Sequence, residues 1–239
     1  MKGLKHILFL DIETVSAADS YDKVSERLKV QWSRKANYLK RSQDISDEEL
    51  YLDRAAIYAE FGKIITIGLG YFHTTDEGVE FRTKALYGHD EVSVLNDFKE
   101  ILKRTDNGNL KLCAHNGREF DFPYISRRML INGISLPSVL DLKGKKPWEV
   151  NHLDTMDLWK FGDWKHYSSL ELLASIFNIE SSKSDIDGSM VNDAYYKEDK
   201  LMDIVEYCIQ DVVVTAKLYL KLNSIDIEGL KIVKINHPT

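Results

Sequence analysis

The stretch HILFLDIETVS, residues 6–16, constrains this chain more than any other. Four of the five residues His6 to Leu10 are apolar, as in a buried strand, and they run straight into Asp11 and Glu13. Side chains alternate across a strand, so Asp11 and Glu13 point the same way while Ile12 points into the core. Two carboxylates side by side at the end of an apolar strand repel each other. They need a cation, a proton or a basic neighbour. The plainer alternative is a strand that ends in a solvated turn, with Thr14 and Ser16 capping the next segment. Taken alone, so short a stretch favours that alternative.

The 239 residues suit one sizeable α/β domain carrying an insertion. Hydrophobic residues make up 44% and charged residues 29%, the balance of an ordinary globular chain. No apolar run approaches the ~20 residues that span a bilayer, so no membrane is expected. The N-terminal apolar run ends in acids rather than in a small-residue cleavage site, which argues against a signal peptide. Cys113 and Cys208 both lie in apolar segments, which predicts a reducing, cytoplasmic setting without disulfides. The net charge of −6 disfavours coating of nucleic acid by a basic surface. It leaves open an enzyme whose acids hold metal ions against a phosphate.

Periodicity predicts strands at 4–10, 64–72, 79–87, 111–115 and 152–159, and helices at 90–103, 121–132, 168–177 and 198–222. Gly68 and Gly70 in IITIGLGYF permit close backbone approach. The second and third strands are joined by a hairpin-like HTTDEG turn and so run antiparallel. The insertion, about residues 17–62, reads as two helices covering one end of the sheet. Residues 142–150, LKGKKPWEV, read as a basic loop. The expected fold is therefore α/β, with a mixed five-stranded sheet flanked by helices and a helical insertion after the first strand.

Two further acidic constellations lie downstream. In CAHNGREFDF, residues 113–122, a buried strand ends and Asp121 stands where a helix begins, a position the helix dipole favours. Asn116 there either caps that helix or touches a ligand. In the last helix Tyr207 and Asp211 are four apart and share a face, beside the apolar pair Cys208 and Val212. Singly, each of these is as well explained by a structural hydrogen bond.

Asp11-Ile12-Glu13 after the first strand, Asn116 to Asp121 after a later one and Tyr207 to Asp211 on a late helix form an ordered trio. The trio resembles the tyrosine branch of the DEDD 3′–5′ exonuclease superfamily, of ribonuclease H-like fold. It looks most like the proofreading domain of family B DNA polymerases and the stand-alone predicted exonucleases related to it. FGKIITIGLGYF, residues 61–72, resembles the second strand of that group. The resemblance implies a single domain over residues 1–239 with Asp11, Glu13, Asp121 and Asp211 as ligands to two divalent cations, Mg²⁺ or Mn²⁺. It also implies that Tyr207 acts on the attacking water and that Thr14, Asn116 and Phe120 meet the terminal nucleotides. The implied activity is two-metal hydrolysis of phosphodiesters from the 3′ end of a single strand, DNA in preference to RNA. Three features depart from the polymerase pattern: the long insertion, the acidic total, and a chain end 28 residues after Asp211, where a polymerase domain would stand. They suggest a protein partner that supplies substrate.

Two alternatives carry weight, an RNA-trimming nuclease of the same fold and a non-catalytic nucleic-acid-binding module. Asp154 and Asp157 read as structural or solvated rather than as extra ligands, and His115 as a hydrogen-bonded structural histidine. Lys143, Lys145 and Lys146 read as a solvated loop before they read as phosphate contacts. Trp32 and the tyrosines of the insertion read as its core before they read as base-stacking platforms.

Overall fold

The computed structural model describes residues 3–40, 44–163, 167–181, 187–227 and 229–235. The first strand, β1 (Ile7–Ser16), does not stop at the acids but runs through Asp11 and Glu13. It pairs parallel with β4 (Lys111–Ala114) over Ile7–Phe9 and stays extended through the acids because it pairs antiparallel with β2 (Gly62–Thr75) as far as Ser16, with Asp11 opposite Gly68. Thr14 and Ser16 are therefore strand residues rather than caps. A register shift between Glu13 and Thr14 bends the strand where the second acid sits.

The insertion forms α1 (Glu26–Leu39) and α2 (Asp47–Arg54) before β2. The hairpin is completed by β3 (Gly78–Tyr87), and α3 (Glu91–Thr105) leads to β4. Then come α4 (Asp121–Ile131), β5 (Leu153–Asp154), α5 (Thr155–Lys160), α6 (Leu170–Ile176), α7 (Val191–Tyr196), α8 (Leu201–Leu222) and β6 (Lys231–Lys234). Among the described residues the sheet has six strands, in the order β5-β4-β1-β2-β3-β6, rather than the five expected. The sixth, β6, lies parallel to β3 beyond the last helix. The fifth is cut to two residues because the Asp154 carboxylate accepts from the backbone N–H groups of Met156 and Asp157. That cap turns the expected strand into α5.

Alternation along β1 divides the core. Leu8, Leu10 and Ile12 pack with Leu95, Phe98 and Phe122 of the α3–α4 layer. Ile7 and Phe9 face α8, where they pack with Val212, Val213 and Ala216. Phe9 has no exposed surface and meets Phe72, Phe81 and Tyr219 edge-on at 5.6 Å each. Burying one such side chain contributes on the order of 2 kcal/mol. Asp11 and Glu13 continue the α8-facing row of β1, between fully buried Phe9 and Val15.

The insertion has its own core around Trp32, Leu50, Tyr51 and Phe61. Trp32 is fully buried and its indole N–H donates to the Asp47 carbonyl at 2.8 Å, so it packs and has no face free for a base. Two hydroxyls, Thr14 Oγ1 and Tyr124 Oη, donate to the Ala56 carbonyl at 2.9 and 2.7 Å and tie the insertion to β1 and α4. Arg128 of α4 completes the clamp. It donates to both oxygens of buried Glu91 on α3 and to the Ala59 carbonyl, while Glu91 also accepts from the Ile64 amide.

Candidate active site

Four acids and a tyrosine reach one place from three elements. Asp11 and Glu13 come from the α8 face of β1, Asp121 from the first turn of α4, and Tyr207 and Asp211 from successive turns of α8. Asp11 and Glu13, together with the thiol of Cys208, present ligand atoms all within 4.8 Å of one another. Asp121 and Asp211 stand outside that tight group but close enough for their charges to act on both Asp11 and Glu13.

Each element is brought in by a local device. Helix α8 approaches β1 and β2 closely because Gly68, opposite Asp11, has no side chain. A Cβ there would lie 3.0 Å from Cys208 Sγ and from a methyl of Val212. In that space the Cys208 thiol donates to the Asp11 carbonyl at 3.4 Å. Asp121 is placed by the turn between β4 and α4. Asn116 takes a left-handed conformation, φ +63°, and its carbonyl accepts from the Glu119 and Phe120 amides. Gly117 passes so near Ala114 that a Cβ would lie 2.4 Å from it. The Asp154 carboxylate fixes the turn by accepting from the amides of Asn116 and Arg118 at 2.9 and 3.0 Å.

The electrostatics are those of an uncompensated anionic cluster. Among the described residues no salt bridge joins Asp11, Glu13, Asp121 or Asp211 to a Lys, Arg or His. Asp11 Oδ2 and Asp121 Oδ1 are buried and have no hydrogen-bond partner. Burial, then the charges of Glu13, Asp121 and Asp211, hold the Asp11 carboxyl well above the usual range. Glu13 is raised by burial, then by Asp211 and Asp121. Burial lifts Asp121 to about 7, against the pull of the backbone amides of Asp121 itself and Ile12. Burial lifts Asp211 to about 6, with the Tyr207 hydroxyl beside it favouring the charged form. The Tyr207 phenol is itself raised, by burial first and then by Asp211, Glu13 and Asp11. Such a donor set, all carboxylate oxygen with two orphaned buried atoms, fits hard divalent cations. Burial pushes the Cys208 thiol far up, so it stays protonated beside the cluster.

The remaining candidates sort by their contacts. Phe120 is half-buried at the head of α4, its ring 5.3 Å from that of Tyr124. Asn116 is half-buried in the turn and does not cap α4, which has no side-chain cap. The Thr14 hydroxyl is engaged by Ala56, as above. His115 bridges Thr155 Oγ1 at 2.9 Å and the Ser168 carbonyl at 2.8 Å, the expected structural histidine. Asp157 pairs with Arg118 and Lys160. Lys143, Lys145 and Lys146 are exposed. The residue that sequence reading undervalued is Asp154. Its signal was present in LDTMD, an Asp ahead of a helical start with an acid three residues on, the pattern of an N-cap.

Comparison with known proteins bears on the family and the fold. A family described as predicted 3′–5′ exonucleases related to the exonuclease domain of PolB matches residues 57–229. The chain belongs to that family. The match begins after β1, and all the candidate site residues rest on spacing and geometry. No curated protein matches the chain. The family B DNA polymerase from the hyperthermophilic archaeon Pyrobaculum calidifontis is similar in structure over 91% of this chain, with 17% identity and a TM-score of 0.54. That likeness is one of fold, and the fold is ribonuclease H-like. The chain corresponds to 24% of that polymerase. Among the described residues no helix is long and apolar enough to cross a membrane.

Proposed function

We propose that this chain is a metal-dependent 3′–5′ exonuclease acting on single-stranded ends, with DNA preferred to RNA. The observation that carries the reading is the uncompensated cluster of Asp11, Glu13, Asp121 and Asp211, with two of its oxygens buried and orphaned, in a chain of an exonuclease family. Four ionised acids bring about −4, and two divalent cations would balance it. Those four residues would hold the ions, which when bound supply water activation and stabilise charge on the phosphate and on the leaving 3′-oxygen.

The chain's own groups supply position. Tyr207 keeps its proton, because burial and three acids raise its phenol. It therefore orients the attacking water rather than deprotonating it. The water oxygen bonds to phosphorus as the bond to the 3′-oxygen breaks, which leaves a shortened strand and a nucleoside 5′-monophosphate. Asn116 and Phe120 stand at the mouth of the turn that carries Asp121, and we assign them to the terminal nucleotides. With the Thr14 hydroxyl engaged by Ala56, the contact left to Thr14 is through its backbone.

The test is a nuclease assay with 5′-labelled single-stranded DNA and RNA, in Mg²⁺ or Mn²⁺, with Asp11→Ala in parallel. A ladder that shortens from the 3′ end and is absent in the variant is expected, faster on DNA. Faster shortening of RNA would move the substrate assignment. No shortening of either strand, in protein that binds the cations by calorimetry, would sink the enzymatic reading.

A further inference from the structure

The tight group at the centre of the candidate site is not made of oxygen alone. Cys208 Sγ lies with ligand oxygens of Asp11 and Glu13 inside 4.8 Å. The fold holds the sulfur there. Cys208 has no exposed surface, its thiol donates to the Asp11 carbonyl at 3.4 Å, and a Cβ on Gly68 would crowd it at 3.0 Å. A second observation points to a cation at the same place. Asp11 Oδ2 is buried and accepts no hydrogen bond, and buried carboxylate oxygens are otherwise paired. Glu13, 8% exposed, supplies the second carboxylate.

Two carboxylates and a thiol form a donor set of mixed softness. Mg²⁺ and Mn²⁺ are hard ions that keep to oxygen, so they leave the S–H bond intact. Zn²⁺ and the softer Cd²⁺ take sulfur as well as oxygen. We propose that Cys208 is a ligand for thiophilic divalent cations, which bind Asp11, Glu13 and Cys208 Sγ together in place of Mg²⁺ or Mn²⁺. On binding, a metal–sulfur bond replaces the S–H bond and the proton leaves to solvent. This role rests on the metal-dependent reading above and adds to it a residue that sorts one cation from another.

The dimensions suit such an ion. Zn–S of about 2.3 Å and Zn–O of about 2.1 Å, at tetrahedral angles, put sulfur and oxygen about 3.6 Å apart. From a spread of at most 4.8 Å the donors must close by about 1 Å, which rotation of the two acidic side chains supplies. Three protein ligands with the fourth position left to water is the arrangement of an open zinc site. A site so loaded has both acids of β1 engaged, so Zn²⁺ and the cations of the proposed reaction compete for it.

Titration of the metal-free protein with Cd²⁺ reads sulfur ligation directly, through the ultraviolet thiolate-to-metal charge-transfer band. The band should appear in the native protein and saturate at one Cd²⁺ per chain. It should survive Cys113→Ser, which removes the only other cysteine. In Cys208→Ser it should vanish, and calorimetric affinity for Cd²⁺ and Zn²⁺ should fall at least about 100-fold, beyond the ~10- to 100-fold cost of losing a hydrogen-bond partner of a ligand. Mg²⁺ affinity of that variant should stay within about twofold, because the sulfur is no ligand to a hard ion. Asp11→Asn/Glu13→Gln keeps the thiol and should weaken Cd²⁺ binding by at least as much as Cys208→Ser. No band in native protein, or a band that Cys208→Ser retains, overturns the proposal. So does Cd²⁺ affinity that survives removal of the two carboxylates, and so does an equal loss of Mg²⁺ and Cd²⁺ affinity in folded Cys208→Ser. If Cys208→Ser does not fold, the native band and its dependence on Asp11 and Glu13 decide. None of these readouts uses turnover. A protein that shows the band yet cleaves no nucleic acid loses the exonuclease reading and keeps Cys208 as a ligand. One that cleaves with Mg²⁺ and shows no band does the reverse.

Discussion

Asp121→Asn should stabilise the metal-free protein, and by an amount that depends on pH. Asp121 is 3% exposed, one of its oxygens has no partner, and burial lifts its carboxyl to about 7. In the unfolded chain an Asp titrates near ~3.9. Between these values the folded state binds more protons than the unfolded one, so stability falls as pH rises from about 4 to about 7. A shift of about 3 units at ~1.4 kcal/mol each puts the penalty on the order of 4 kcal/mol at pH 8. At pH 5 the folded-state carboxyl is protonated, and only about 1–2 kcal/mol of the penalty is left. Asn is isosteric, carries no charge, and turns an amide N–H towards Asp11 and Glu13. Its own desolvation offsets part of the gain, by roughly 1–3 kcal/mol. The variant should therefore gain about 1–3 kcal/mol at pH 8 in EDTA, or several degrees in Tm for a chain of this length, and little or nothing at pH 5. Denaturant titration in EDTA at the two pH values reads this directly. Adding Mg²⁺ should stabilise the native protein and the variant by less, because binding to the folded state is linked to folding. A variant less stable than native at pH 8 without metal, or a gain equal at both pH values, would refute the account of the cluster as buried and uncompensated.

Arg128→Met should cost about 3–5 kcal/mol, because it strands the Glu91 carboxylate in the core. Adding Glu91→Gln should restore part of that loss, and chemical denaturation of the pair and of both singles reads the coupling. Tyr207→Phe should lower kcat about 10- to 100-fold on a short oligonucleotide, with KM and Tm nearly unchanged. Full turnover in that protein would end the water-orienting role. Asp154→Ala should cost about 2–4 kcal/mol, since it removes a helix cap and leaves the Asn116 and Arg118 amides without an acceptor. Hydrogen exchange should show those two amides losing protection, and a loss spread evenly over the molecule would contradict a local role.

The fold was legible where pattern and pairing coincide. The alternation of Leu8, Leu10 and Ile12 against Phe9 assigns both faces of β1, and the glycines at 68 and 70 mark where α8 comes closest. Legibility failed where a side chain acts on backbone far away in sequence. Asp154 ends a strand, starts a helix and fixes a turn 38 residues earlier, and periodicity does not register such work. The strand β6 is short and mostly exposed, so it has no apolar run to announce it, and pairing with β3 alone defines it. The candidate site was legible as an ordered trio, yet neither its depth nor the position of the Cys208 thiol could be read from spacing.

The same limit explains why apolar patterning ends β1 at the acids while the strand itself continues. Charges end strands when the strand must leave the core to reach solvent. Here the backbone of β1 stays paired through Glu13, and under α8 the two acids interrupt an otherwise apolar row between buried Phe9 and buried Val15. Holding that arrangement without a basic neighbour means the repulsion is resisted by the scaffold. Gly68 lets α8 close over Asp11, Asp154 fixes the turn that presents Asp121, and the Glu91–Arg128 clamp seats α4 against α3. None of these contacts neutralises an acid. A module that only gripped nucleic acid would gain by replacing Asp11 or Asp121 with a neutral residue, because each carboxylate repels the phosphates it would hold. Retaining all four, rigidly supported and unpaired, is the arrangement expected of a site whose balancing charge arrives with its cations.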